Sequence, residues 1–493
     1  MKLLLSEHNT RRISLATEIT KEKPFGFTEE LFNKIDCRAI NVFKKDRGRD
    51  LFPFHLRKND QFYDISANYY VGVDWLIVGK KFVQVEPKVN SAIIKAFAKQ
   101  TDALEVENTN CDDIDKNTKN EVLLEENLIE IDYLRILLEL SSNPTNANNI
   151  SDILKIDWNA EQIPVEQKDD RLTPFLVVQF LQILKAIVRK GLKKSYYKVQ
   201  ENLTNRVKGK ILVGQHIKQN VFKNRLTKTY CEYQEFGFNH LENQFLKKVF
   251  GFAVNYVQND KVFFTHCEIG TKSNSTFKDE LLDIINYCRP AFEHISGNIK
   301  EQELKNIKHN PFFKEYKDAI KIGGYILKKF SYNISNTVEK KNTTPPFWID
   351  MPILFELYFY NQLLKSNPQS TKNIHYQYST YGNSLDILIS KPGFEMVIDT
   401  KYKLQYQSRE VHEDIRQVSG YARLNKVRKE LGFENEEHKI IDCLIVYPDL
   451  YAPKDQDYTL QYVKENRQEL SAYHKVYKLG ISLPFIQQNH LQS

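Results

Sequence analysis

Three charged side chains, Asp386, Asp399 and Lys401, stand in the stretch SLDILISKPGFEMVIDTKYK. Apolar, β-favouring runs at 385–390 and 394–403 flank Lys391-Pro392-Gly393, a combination that predicts a hairpin. Side chains alternate along a strand, so Asp399 and Lys401 share one face, Thr400 faces the other way, and Asp386 can sit beside the pair on the neighbouring strand. Two carboxylates and an ammonium among Ile, Leu, Val and Met are costly to bury without a partner, and a divalent cation is the natural one. Such a site suits phosphodiester hydrolysis. Mg²⁺ held by hard oxygens activates a water and neutralises charge at the phosphate, while a lysine can orient that water or offset developing charge. An isolated Asp-x-Lys is more often a solvated pair on an edge strand, so the flanking elements must decide.

Upstream, the run 348–364 (WIDMPILFELYFYNQLL) reads as a buried helix with Asp350 as N-cap and Pro352 in its first turn. Glu356 is its only acid after the first turn, and it either forms a structural ion pair or reaches the metal. Downstream, 413–431 reads as a helix that carries Gln417 and Tyr421 four apart on one face, and 440–447 as a buried strand. Helix, hairpin, helix and strand make an α/β core. The spacing D-x12-D-x-K resembles the pattern of the PD-(D/E)xK nuclease superfamily, with Leu385 where its usual proline would stand. Q-x-x-x-Y resembles the additional motif of RecB-like nucleases.

The combination PPFWIDMPILFELYFYNQLL, SLDILI, VIDTKYK and QVSGYA resembles the McrC family, the nuclease subunits of McrBC restriction systems. YYVGVDWLIVGKKFVQVEPKV and RVKGKILVGQH extend the likeness upstream. The resemblance implies a restriction-endonuclease-like PD-(D/E)xK core, Mg²⁺-dependent DNA endonuclease activity and a role in antiviral defence. It implies catalytic roles for Asp386, Asp399 and Lys401, with Glu356, Gln417 and Tyr421 beside them, and a metal held by Asp386, Asp399 and Glu356. Its substrate would be double-stranded DNA containing 5-methylcytosine. Its partner would be a hexameric AAA+ GTPase of the McrB type, engaged by the N-terminal half, so that GTP enters only through the partner. Two other readings stay open: a solitary nuclease of the same superfamily working in DNA repair, and a non-catalytic adaptor that activates a GTPase.

The chain's 493 residues exceed one ordinary domain. The reading divides them into an α+β, β-rich module at 1–165, a mostly helical middle at 166–340 and the nuclease module at 341–493. The formal net charge of +7 favours a polyanion only where the cations cluster. They cluster at 185–228, with thirteen Lys or Arg against the single acid Glu201. Lys193, Lys194, Arg206, Lys208, Lys210, Lys218, Lys223 and Arg225 are the candidate contacts to a DNA backbone; a solvated face or a surface for an acidic protein is the alternative. Six cysteines without C-x-x-C fit reduced thiols in a cytoplasmic protein. The N-terminus lacks the apolar run of a signal peptide, and no stretch reaches the length expected of a membrane helix. The acid- and Asn-rich stretch 98–127 reads as a loop or insertion. No G-x-x-x-x-G-K-[ST] occurs, so nucleotide turnover is not expected of this chain. His375 and His412 flank the site region and read as structural.

Overall fold

The computed structural model describes residues 2–7, 10–14, 52–59, 62–90, 128–141, 153–157, 160–165, 172–259, 277–299, 313–335, 342–380, 382–402, 408–436, 438–449, 452–453, 456–470 and 473–486. The acidic stretch 98–127 lies outside them. The chain forms a mixed helix and strand structure of two compact units. The first joins Met1–Val165 to Thr343–Ser493, and the second is Glu166–Asn342.

In the first unit, a five-stranded sheet runs in the order Lys2–Ser6, Lys81–Glu86, Tyr70–Ile77, Phe347–Asp350, Leu154–Ile156. Its first pair is parallel and the others are antiparallel. The strand Phe347–Asp350 comes from the C-terminal part of the chain, where the sequence reads as helix from residue 348. Its side chains Phe347, Trp348 and Ile349 are all buried, and large apolar β-formers suit a strand covered on both faces. Gly72 makes this pairing feasible. A Cβ there would lie 2.0 Å from the Phe347 carbonyl oxygen, so the strand carrying Trp348 could not approach any other residue so closely.

Helix Met351–Ser366 follows at once. The Asp350 carboxylate accepts from the Ile353 amide at 3.1 Å, and Pro352 occupies the first turn, where its missing N–H costs nothing. The second sheet has six strands in the order Ile374–Thr380, Asn383–Ile389, Met396–Thr400, Asp442–Pro448, Val476–Ile481, Gln468–Glu469. Asn383–Ile389 and Met396–Thr400 form an antiparallel pair, and the next two pairings are parallel. Helix Ser408–Ala422 packs Ile415 and Val418 onto this sheet with Leu388, Val397, Cys443 and Ile445. The downstream helix read as continuous over 413–431 is interrupted: Ser408–Ala422 ends, and a short helix Asn425–Glu430 begins after a turn.

The second unit contains the helices Leu172–Lys190, Leu241–Asn259, Phe277–Cys288 and Lys314–Ser335. Leu172–Lys190 is long and apolar enough to cross a membrane by length and composition, which the sequence reading did not expect of any stretch. Its buried residues, Phe175 to Ile187 among them, make it a core helix of this unit. The unit is less purely helical than the sequence suggests. Ser195–Thr204 and Lys228–Gly237 pair antiparallel over ten residues each, with Lys210–Ile211 alongside. Lys, Gln, Asn and Glu dilute the β-signal in both long strands, and cross-strand pairing overrides that weak propensity.

Candidate active site

The hairpin's ladder ends at Ile387 opposite Ile398. One residue further on stand Asp386, in the middle of Asn383–Ile389, and Asp399, which pairs with Ile445 of the next strand, and the chain continues past Thr400 into Lys401. Lys401 Nζ lies 2.8 Å from Asp399 Oδ2 and 3.4 Å from Asp414 Oδ1, with its side chain 13% exposed. It also donates to Gln417 Oε1 at 3.1 Å, and Gln417 Nε2 donates to the Tyr421 hydroxyl at 2.9 Å. The amide of Gln417 is thereby oriented from one side by a lysine and from the other by a tyrosine one turn along the same helix. Asp386 Oδ2 accepts from both the Thr400 amide at 2.7 Å and the Thr400 hydroxyl at 2.8 Å. The hydroxyl of Thr400, expected to face away from the pair, therefore serves the site. Thr400 is still paired with Val446 in the parallel ladder, so its hydroxyl reaches Asp386 from within the sheet.

Glu356 is buried on helix Met351–Ser366 and feels the charges of Asp386 and Asp399. Its Oε1 has no hydrogen-bond donor. Burial, reinforced by the Asp386 charge, holds the Glu356 carboxyl well above its usual range, with bonds from Gln377 and Tyr376 only partly offsetting it. Burial pushes Asp399 up to about 7, and the Asp386 charge adds to it against the opposing pull of Lys401. Asp386 is raised by burial while Thr400 moderates the effect. Burial alone would depress Lys401, but the carboxylates of Asp399 and Asp414 outweigh it and hold the ammonium above its ordinary range. The site thus carries more acid than its lysine neutralises, in surroundings that penalise uncompensated charge.

All six residues marked by the sequence as catalytic therefore fall in one neighbourhood. Besides Thr400, three more belong to it. Asp414 stands one turn before Gln417, a spacing legible on a helix face once its partner is known. Gln377 and Tyr376 reach Glu356 from the strand Ile374–Thr380. Gln377 has φ +47°, a left-handed conformation unusual for this residue type, and falls between the pairs Tyr376–Ile387 and Tyr378–Leu385. No local sequence signal announces that. Among the described residues no three His, Cys, Asp or Glu side chains stand in an arrangement that could hold a metal ion. The ammonium of Lys401 takes a place between two of the acids instead. The donor chemistry nonetheless fits a hard cation: carboxylate oxygens, a buried Glu356 oxygen without a donor, and raised carboxyls that added positive charge would relieve. His375 bonds the Ser390 hydroxyl at 2.9 Å and His412 the Tyr473 hydroxyl at 2.7 Å.

The basic segment lies in the second unit and is mostly an arm of strand and turn. Lys193 is withdrawn from its surface: its side chain is 14% exposed and pairs with Glu242 at 2.6 Å, at the base of the arm. Lys208 pairs with Glu235 at 3.2 Å and lies over the Tyr233 ring, and Lys194 lies over Phe238. Lys210 is opposite Glu232, which also pairs with Lys198. The returning strand therefore supplies acids that a window closing at residue 228 leaves out. Arg206, Lys218, Lys223 and Arg225 are exposed around the tip, interspersed with exposed Val207, Val213, Val221, Phe222 and Leu226.

Two structures of Thermococcus gammatolerans assemblies match the chain weakly. One is a half-complex of McrB AAA+ hexamers with bound McrC, at 13% identity and a TM-score of 0.37 over 98% of this chain and 94% of that one. The other is the McrBC complex, at 12% identity and a TM-score of 0.26 over 85% of this chain and all of that one. Likeness at that level does not establish a shared arrangement of elements. No curated protein matches the chain. The model of one family, McrBC 5-methylcytosine restriction system component, matches residues 68–431, which span the arm, helix Met351–Ser366, the hairpin and the Gln417 helix. The chain belongs to that family.

Proposed function

We propose that the acid and lysine cluster is the cutting centre of a modification-dependent restriction system. In this reading the C-terminal part is a PD-(D/E)xK core that hydrolyses phosphodiesters in double-stranded DNA bearing modified cytosine, and an AAA+ GTPase of the McrB type directs it. One observation carries the reading. Glu356, Asp386 and Asp399 are all raised by burial beside a single ammonium, which is more acid than a structural ion pair needs.

Asp386, Asp399 and Glu356 would hold Mg²⁺, which when bound supplies a Lewis acid for the phosphate and a water of lowered pKa. The chain's own groups do the rest. Lys401, kept cationic by Asp399 and Asp414, offsets charge that develops on the phosphate, and Gln417 fixes the direction of its ammonium. Tyr421 holds the Gln417 amide in that orientation. Thr400 fixes the Asp386 carboxylate with two bonds to one oxygen. The chain carries no G-x-x-x-x-G-K-[ST], so GTP would enter only through the partner, whose hydrolysis this chain would stimulate.

The test is Lys401→Ala, assayed with the partner GTPase, Mg²⁺ and modified DNA. Cutting should be lost while folding and stimulation of the GTPase survive; equal cutting by the variant refutes the assignment. Cutting by the purified chain without any GTPase would move the reading to a solitary nuclease. The arm invites a second reading. A duplex backbone rewards charge, yet this arm exposes Phe222 and Leu226, each 80% or more accessible, between its cations, a mixture suited to a protein surface such as the partner's.

A further inference from the structure

Directly after Lys401 the chain buries Tyr402, which is 4% exposed. Its hydroxyl donates to Glu7 Oε2 at 2.7 Å, linking the catalytic strand to the far end of the sequence. Glu7 itself is 5% exposed and follows the strand Lys2–Ser6, with its amide donating to the Glu86 carbonyl at 3.2 Å. The ring of Tyr402 lies between Phe355, whose centroid is 5.9 Å away, and Tyr69 at 6.3 Å. Phe355 immediately precedes Glu356, and the Tyr69 carbonyl accepts from the Met351 amide that opens the Glu356 helix. One tyrosine thus touches the neighbours of both the lysine and the leading acid of the site.

The composition of this contact is unusual for a mere core bond. Glu7 Oε1 is buried with no donor, which costs free energy that an apolar residue of similar size would avoid. Such a costly acceptor makes sense where direction matters more than stability. A hydroxyl bonded to a fixed carboxyl cannot slide along the ring plane, whereas apolar packing around Tyr402 alone would permit it. Lys401, one peptide away, is tied on the other side by its amide, which donates to the Val446 carbonyl at 2.8 Å.

We propose that Glu7 and Tyr402 form a positioning brace by which the N-terminal sheet sets the placement of Lys401 and Glu356. The brace rests on the reading of this site as a nuclease. Neither residue touches the reacting groups; they act through the strand and the helix. A misplacement of about 1 Å can lower a catalytic rate by roughly 10²-fold, so even a small release of this strand should be visible in kcat.

The experiment compares Tyr402→Phe, Glu7→Leu, Glu7→Gln and the Tyr402→Phe/Glu7→Leu double variant in the full chain with its partner GTPase. Tyr402→Phe and Glu7→Leu should each lower kcat for DNA cutting about tenfold or more with KM for DNA unchanged. The double variant should be no worse than either single one, and Glu7→Gln, which retains an acceptor of the same size, should stay within about twofold of the parent. Amide hydrogen exchange at Lys401, which needs no cutting, should quicken in the two single variants and not in Glu7→Gln. If Tyr402→Phe does not fold, the contrast between Glu7→Leu and Glu7→Gln carries the same decision. A lowered melting temperature with unchanged kcat and unchanged Lys401 exchange would overturn the brace, as would additive losses in the double variant. Lys401→Ala, run alongside, separates the two claims: full cutting by that variant defeats the nuclease reading, whereas its inactivity combined with normal Tyr402→Phe and Glu7→Leu defeats only the brace.

Discussion

Lys401 directly follows the strand Met396–Thr400, with Asp399 and Asp414 around it, and Lys208 lies between the strands Ser195–Thr204 and Lys210–Ile211, against Glu235 and the Tyr233 ring, yet the two live under different rules. Around Lys401 the acids are buried and outnumber the base, and burial raises Asp399, so every charge depends on its neighbours. Around Lys208 the pair with Glu235 is half in water, and its loss would be worth about 0–1 kcal/mol. Removing one member of a buried pair costs roughly 3–5 kcal/mol because the other is left uncompensated. Charge density along the sequence drew attention to the arm, but burial is what concentrates chemistry. The two regions should therefore respond very differently to single changes.

The sharpest expected contrast comes from Asp414→Asn. Asparagine keeps the shape but leaves Lys401 to lean on Asp399 alone, so Mg²⁺ must displace the ammonium. The half-saturating Mg²⁺ concentration for cutting should rise about tenfold, roughly 1.4 kcal/mol, with KM for DNA little changed; an unaltered Mg²⁺ requirement would remove Asp414 from the site. Next in size is the arm's apolar tip. Phe222→Ser with Leu226→Ser should weaken association with the GTPase several-fold without lowering the melting temperature, because both side chains are exposed. Charge reversal at Lys208, Lys210 and Lys218 should have a smaller effect on DNA affinity, about threefold, since two of these cations already face Glu235 or Glu232. A steep fall in affinity together with a flattened salt dependence would instead return the arm to the DNA backbone.

The last expected effect is a slope of stability with pH. Burial, aided by the nearby Asp350 charge and opposed by the Tyr402 bond, pushes Glu7 up to about 8 from an ordinary value of 4.5. Between those values the folded chain binds a proton that the unfolded chain does not, so stability contributed by this group is full below pH 4.5 and is lost as pH rises to about 8. The loss approaches about 1.4 kcal/mol per pH unit within that window. Glu7→Gln should match the parent near pH 5 and exceed it in chemical-denaturation stability above pH 8. Parallel curves would show that Glu7 does not titrate in this way.

Much of the core was legible because its residues signal locally. The Lys-Pro-Gly turn between apolar runs marks the hairpin, and Asp350 with Pro352 marks the start of the Glu356 helix within a few residues. What stayed hidden depends on partners distant in sequence. Trp348 reads as helix beside Met351, and only pairing with Gly72 makes it strand. Glu7 carries no pattern at all, because its meaning comes from Tyr402, which lies 395 residues away. Gln377 needs a backbone conformation that no residue type announces. Lys193 looked like surface charge until Glu242 was placed beside it. Periodicity reports which face is buried, and it cannot report which buried groups meet.

In the proposed reading, Asp399, on the strand Met396–Thr400, and Lys401 just after it cut DNA by way of a cation held on the carboxylates of the site. That reading is tested most directly by titrating Mg²⁺ into a cleavage assay with modified duplex and the partner GTPase, comparing the parent with Asp399→Asn. The account predicts saturable Mg²⁺-dependent cutting by the parent and a loss on the order of 10³-fold in the variant, which should still fold. Undiminished cutting by Asp399→Asn across the same titration would contradict it.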